Sequence, residues 1–238
     1  MPNTITVRTR DGEMKLYDVE PEQPAKGAVI VIQEAFGVNN HIEDVTQRVA
    51  KLGYRAVAPH VFYRTGDPVL AYDDLQNVMP HIQAMTKAGV ENDLDATVGY
   101  LSENGFLSAQ TGIVGFCLGG SISFYAAVHH PFGAAVTFYG GGVGSGRFGY
   151  PSQIELAPQL QAPWLGLYGD TDQSIPIEEV EALRLAAAKA PVPTEIVRYP
   201  EGTHGFHCDV RESYHRQTAE DAWQRTVGWF DTHLAKKP

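Results

Sequence analysis

The sequence predicts a single α/β domain spanning residues 1–238, with a mostly parallel sheet and helices on both faces. Three observations carry this expectation. Short continuous runs of apolar, largely β-branched residues recur along the chain, as in Ala28-Val29-Ile30-Val31-Ile32, and such runs suit strands buried on both faces. Helical stretches separate most of these runs, which calls for parallel pairing through crossovers. No repeat, low-complexity tract or long Pro/Gly/Ser linker divides the 238 residues, a length that α/β folds often carry undivided.

Element by element, Ile5 to Val19 reads as a hairpin turning at Asp11-Gly12. The Ala28–Ile32 strand precedes a helix over Asn40 to Leu52 that stops at Gly53. Tyr54 to Ala58 is a short strand stopped by Pro59, and His60 to Asp67 is a loop. Helices are expected over Val69 to Lys87 and Glu91 to Ser102, a strand over Thr111 to Val114, and a helix over Ser121 to Val128. His129 and His130 end that helix, where imidazolium would suit the dipole. Ala134 to Tyr139, Trp164 to Tyr168 and Glu195 to Tyr199 are three more buried strands, with helices over Ile177 to Ala190 and Glu220 to Leu234.

Composition narrows the function. The formal net charge of −10 repels phosphate backbones, so no nucleic-acid partner is expected. No apolar run approaches the span of a bilayer, and residues 1–10 lack a hydrophobic signal core, which together point to the cytoplasm and to no membrane partner. The two cysteines, Cys117 and Cys208, are expected reduced. Nothing in the sequence fixes the oligomeric state; a monomer is favoured.

Parallel sheets bind ligands beyond the C-terminal ends of their strands, so the chemistry is sought in the loops that follow strands. The loop after Thr111–Val114 reads Gly115-Phe116-Cys117-Leu118-Gly119-Gly120 and runs into a helix, the G-x-nucleophile-x-G pattern of a nucleophile elbow. The turn is too tight for side chains at the flanking glycines, and the helix N-terminus favours thiolate. A thiol nucleophile needs a base, and the base an orienting acid. After Trp164–Tyr168 come Asp170 and Asp172; after Glu195–Tyr199 comes His204, within Pro200-Glu201-Gly202-Thr203-His204-Gly205-Phe206. The order nucleophile, acid, histidine is the one an α/β-hydrolase uses. His204, His207 and Cys208 offer an i, i+3 pair with a thiolate, but a fourth ligand is missing and no metal is expected. Gly144-Ser145-Gly146-Arg147-Phe148-Gly149 matches G-x-G-x-x-G without the helix that a nucleotide fingerprint requires, so it reads as a glycine-rich loop that shapes the pocket.

With these residues in hand, the chain resembles the dienelactone hydrolase family of α/β-hydrolases. The resemblance rests on Gln33-Glu34-Ala35-Phe36-Gly37-Val38-Asn39, the elbow, Phe138-Tyr139-Gly140, Gly169 to Asp172, and Tyr199 to Phe206, in the expected order across nearly the whole chain. It implies a Cys117, Asp172, His204 triad, with Asp172 rather than Asp170 as the acid. It implies that Glu34 lies beside the thiol and takes part in its activation, and that the Leu118 and Ala35 amides form the oxyanion hole. Tyr139 joins Arg64 and Arg211 as substrate-binding candidates. Family members that open dienelactone hold its carboxylate with arginines, one of them shortly after the histidine; here the nearest, Arg211, is displaced by several residues.

The implied activity is carboxylic ester hydrolysis, opening a small lactone such as a dienelactone through a thioester, without metal or organic cofactor. The alternatives are a cysteine-dependent esterase for other small esters and a ligand-binding protein that kept the fold. Glu34, as a like charge beside the sulfur, is expected to hold resting Cys117 as thiol.

Overall fold

The computed structural model describes residues 2–235. An eight-stranded sheet runs in the order β1-β2-β4-β3-β5-β6-β7-β8. The hairpin β1 (Pro2–Arg8) and β2 (Glu13–Val19) joins antiparallel to β4 (Arg55–Pro59). From β4 onward the neighbours β3 (Ala28–Ile32), β5 (Thr111–Phe116), β6 (Ala134–Phe138), β7 (Trp164–Gly169) and β8 (Thr194–Tyr199) are all parallel. Every residue of β3, β5, β6 and β7 is buried, the outcome that their continuous apolar runs require when helices cover both faces.

The helices are α1 (Asn40–Lys51), α2 (Leu75–Gln83), α3 (Lys87–Glu103), α4 (Leu118–His129), α5 (Gln153–Leu156), α6 (Ile177–Ala187) and α7 (Arg216–His233). α5 lies outside the expected elements, α7 begins at Arg216 rather than Glu220, and three further departures have local reasons. The stretch from Val69 is not helical until Leu75, where the Asp74 side chain caps α2 by accepting from the Asn77 amide. Residues 69–74 form instead a strap over the loop after β3: the Leu70 amide donates to the Phe36 carbonyl at 3.0 Å, and Tyr72 packs on Phe36 with ring centroids 4.6 Å apart. A second cap, Thr86, starts α3 four residues before the expected Glu91. α4 begins at Leu118 rather than Ser121, so Gly119 and Gly120 lie inside the helix. A Cβ on Gly119 would sit 2.5 Å from the Gln33 carbonyl oxygen, and one on Gly120 2.5 Å from that of Phe138. The glycines mark close approach of α4 to the sheet and not a break.

The register places the site. Ile32 pairs with Gly115, so Glu34 and Cys117 each stand two residues past one rung of the β3–β5 ladder. Among the described residues no helix is long and apolar enough to cross a membrane.

Candidate active site

Cys117 sits between β5 and α4 with φ 54° and ψ −111°, a backbone conformation disfavoured for any side chain but glycine. Its amide donates to the Phe138 carbonyl at 3.0 Å, and its carbonyl accepts from the Ser121 amide, which pins the turn from both sides. At Gly115 a Cβ would collide with the Gly119 carbonyl, and at Gly119 with the carbonyls of Ile32 and Gln33, so each flanking glycine is required by backbone packed against it. The strain is thus held by packing, and the sulfur is presented at the start of a helix whose unpaired amides favour its anion.

His204 and Asp172 come from the loops after β8 and β7. Asp172 Oδ2 lies 2.7 Å from His204 Nδ1, and its Oδ1 accepts from both the amide (2.8 Å) and the hydroxyl (2.6 Å) of Ser174. The Ser174 hydroxyl is also 3.3 Å from His204 Nδ1. Asp170 is engaged elsewhere, in a two-point pair with Arg198 at 2.7 and 2.9 Å. The two loops are tied by the Thr171 amide donating to the Gly202 carbonyl at 3.0 Å. Ser174 was not anticipated; its signal is the D-x-S turn, in which an Asp accepts from the backbone two residues on.

The electrostatics couple these groups. Burial pushes the Cys117 thiol up, but the charge of His204 and its hydrogen bond outweigh burial, so the thiol lies below its ordinary value. Glu34 pushes the thiol up and Arg147 pushes it down. For His204, burial acts downward and is overcome by Cys117 and Asp172, which raise the imidazole to about 10. Asp172 is raised by burial but held below the usual carboxylate range by His204 and Ser174. Both shifts act toward a thiolate–imidazolium pair, while Glu34, with the anticipated sign, acts toward the thiol.

Glu34 is fully buried, and neither carboxylate oxygen has a hydrogen-bond partner among the described residues. The nearest cation is Arg211, whose Nη1 lies 3.5 Å from Glu34 Oε1. The Arg211 guanidinium is shelved over the rings of Phe36 (5.6 Å) and Tyr72 (5.4 Å). Tyr139, just past β6 with φ 38°, has its ring 5.2 Å from that of His204 and its buried hydroxyl unpartnered. Among the described residues the Ala35 amide has no backbone acceptor, and the Leu118 amide is in the first turn of α4, where no intrahelical acceptor exists. Glu34, Tyr139 and Arg211 therefore converge near the sulfur with unused polar capacity.

Arg64 does not belong to this group. Its guanidinium is spent on Asp11, on Asp93 at 2.8 Å to each oxygen, and on the Gly89 carbonyl. It ties the β1–β2 turn to α3. Cys208 is buried, pushed up to about 11 by burial, and directs its thiol at the Tyr72 hydroxyl at 3.3 Å. His207 stacks on Phe116 at 5.1 Å and is driven well below its usual value by burial. At the end of α4, burial lowers both His129 and His130 below the usual imidazole value, while the charges of Glu91 and Asp95 act the other way. Among the described residues no three His, Cys, Asp or Glu side chains are grouped to hold a metal ion.

Residues 14–234 match the model of the dienelactone hydrolase family. A Yersinia pestis protein provisionally assigned as a carboxymethylenebutenolidase is 39% identical over 236 residues, covering 96% of this chain and 87% of that one. One from Escherichia coli K12, with the same provisional assignment, is 39% identical over 237 residues, covering 98% and 87%. The crystal structure of a Klebsiella pneumoniae protein provisionally assigned as a dienelactone hydrolase superposes with a TM-score of 0.89 at 38% identity, covering 97% of this chain and 98% of that one. A glycine-flanked cysteine on a parallel sheet, a match over most of the length and relatives of like size agree: the chain belongs to the dienelactone hydrolase family of carboxylic ester hydrolases.

Proposed function

We propose that the protein hydrolyses small lactones and esters, a dienelactone among them, by covalent catalysis through Cys117, with His204 as acid and base and Asp172 as its orienting partner. The observation that carries the reading is the 2.7 Å contact of His204 Nδ1 with Asp172. It leaves Nε2 for the sulfur, whose charge and that of the imidazole act on one another.

The Cys117 thiolate attacks the acyl carbonyl and forms the C–S bond. The Leu118 and Ala35 amides receive the oxyanion, whose charge they stabilise without reorganising. The C–O bond breaks as the oxyanion collapses, and the leaving oxygen takes the proton from imidazolium His204, either as it departs or after leaving as a stabilised enolate, which frees the imidazole to act as base. In the second half His204 takes a proton from water, the resulting hydroxide adds to the thioester, and the thiolate leaves. Glu34 borders the sulfur as an acceptor without a donor, placed to take up a proton from the thiol form when substrate arrives, while Arg211 and Tyr139 border the acyl group.

The test is hydrolysis of dienelactone and 4-nitrophenyl acetate by the native protein and by Cys117→Ala and Cys208→Ala. The expected result is loss of several orders of magnitude for the first variant, near-native rates for the second, and inactivation of the native enzyme by one equivalent of iodoacetamide. An active Cys117→Ala protein would overturn the reading.

A further inference from the structure

We propose that Ser174 is a positioning residue for the second half of the reaction: its hydroxyl and amide keep Asp172 ionised and turned toward His204 while the imidazole is neutral and water attacks the thioester. The proposal rests on the covalent reading above and deepens it.

The turn after β7 brings both Ser174 donors onto one oxygen. The Thr171 amide and hydroxyl both donate to the Gly202 carbonyl, at 3.0 and 2.7 Å, which fixes the start of the turn against the His204 loop. Asp172 is buried, while Ser174, two residues on, lies at the surface. A surface hydroxyl is free to face water, yet this one turns inward and donates to Asp172 Oδ1 at 2.6 Å, beside its own amide at 2.8 Å. With its proton committed there, the same oxygen lies 3.3 Å from His204 Nδ1, a weaker second acceptor beside Asp172 Oδ2 at 2.7 Å. Both carboxylate oxygens are thereby assigned, one to the serine and one to the histidine. The neighbouring charges are committed elsewhere: Asp170 pairs with Arg198, which also meets Glu181 at 2.9 Å. The Tyr139 ring stands 5.2 Å from the imidazole.

The need for Ser174 changes during the cycle. Burial pushes Asp172 up, and His204 together with Ser174 holds it down. While the ring is imidazolium, its charge favours the ionised carboxylate. Thioester formation ends that state. The sulfur loses the charge that had helped to raise His204, and His204 gives its Nε2 proton to the leaving oxygen. The carboxylate then faces a neutral ring, and burial favours its protonated form. A protonated Asp172 would donate to Nδ1 and leave the ring proton on Nε2, the nitrogen that must take a proton from water. The two Ser174 donors favour the ionised carboxylate whatever the state of the ring, so they count most in this half. They also offset part of the Asp172 charge felt at Nδ1, so the imidazole sheds its Nε2 proton at lower pH. Both effects extend the working range of the base toward acid.

The experiment compares Ser174→Thr with Ser174→Val, side chains of nearly one shape that differ in the hydroxyl. The surface position leaves room for the added methyl groups, and the valine keeps water from standing in for the lost donor. Stopped-flow release of 4-nitrophenolate from 4-nitrophenyl acetate gives acylation as the burst and deacylation as the steady rate, with intact mass spectrometry reporting the acetyl-enzyme. At pH 7 Ser174→Val should acylate within about threefold of native but deacylate about 10- to 100-fold more slowly, the scale of one hydrogen bond to a charged group. Its acetyl-enzyme should accumulate, and its deficit should shrink as the pH rises. Ser174→Thr should keep near-native values of both rates. Burst and steady rates falling together in Ser174→Val, a deficit independent of pH, or equal behaviour of the two variants would overturn the proposal while the covalent reading stands. Undiminished hydrolysis by Cys117→Ala would instead overturn the covalent reading and the proposal with it.

Discussion

Replacing Asp172 by Asn changes one atom, and the structure says which way the amide will turn. Asp172 Oδ1 receives two donors from Ser174, while Oδ2 faces His204 Nδ1. In Asp172→Asn the carbonyl oxygen keeps the Ser174 donors, so the NH₂ group faces Nδ1. A donor there forces the imidazole proton to Nε2, the nitrogen that must act on sulfur and water. Both the base and the imidazolium that steadies the thiolate are lost. The expected fall in kcat is about 10³- to 10⁴-fold, or about 4–5.5 kcal/mol of transition-state stabilisation, the scale known for the same change in serine triads. The assay is kcat on an activated ester beside the pH profile of Cys117 alkylation, whose acidic limb should move to higher pH; thermal unfolding controls for folding. Asp170→Asn, which disturbs only the partly exposed Arg198 pair, should stay within a few-fold of native. A loss under tenfold in Asp172→Asn, or a dead Asp170→Asn enzyme, would refute the assignment.

Three further perturbations separate the remaining roles. Glu34→Gln removes a charge that pushes the thiol up, so the resting enzyme should react faster with iodoacetamide at neutral pH yet turn over more slowly; unchanged rates of both would take Glu34 out of the site. Arg64→Ala strands the buried Asp93 carboxylate and should cost about 3–5 kcal/mol in urea unfolding while leaving ester selectivity alone; a changed preference for anionic esters with native stability would return Arg64 to the pocket. His207 is held neutral in the fold, so the unfolded chain binds the extra proton as pH falls below about 6.5, and stability declines there. His207→Phe should flatten that decline between pH 7 and 5, and an unchanged slope would show that His207 titrates alike in both states.

The parts of the site that were legible in sequence are those whose signature is local. The elbow is six residues whose glycines answer to one turn, and His204 and the aspartates each follow a buried strand, so their convergence follows from the parallel sheet. Choosing Asp172 over Asp170 needed the family resemblance, because both follow β7 and only the fold shows Arg198 across the ladder. Pairings between distant segments were not legible. Arg64 meets partners 53 and 29 residues away, and no pattern around it announces them. Arg147 lay inside a motif dismissed for the chemistry it resembled, and its place over Phe148 and beside Gly141 is visible only in the fold. The start of α4 was misjudged because a glycine pair reads as a break in one dimension and as a packing surface in three.

The near-contact of Gly119 and Gly120 with the backbones of β3 and β6 bears on how this enzyme can change over generations. With no room for a single methyl group at either position, the nucleophile is cast into the sheet itself, and drift there is lethal to the fold before it can alter chemistry. The strap of residues 69–74 and the loop of residues 140–149 are not bound in that way, since neither forms a rung of the sheet. A descendant could therefore exchange its diet by rewriting two short surface segments while inheriting its reaction unaltered. Differences in substrate among relatives of this size should accordingly be sought in those two stretches, with the elbow offering none.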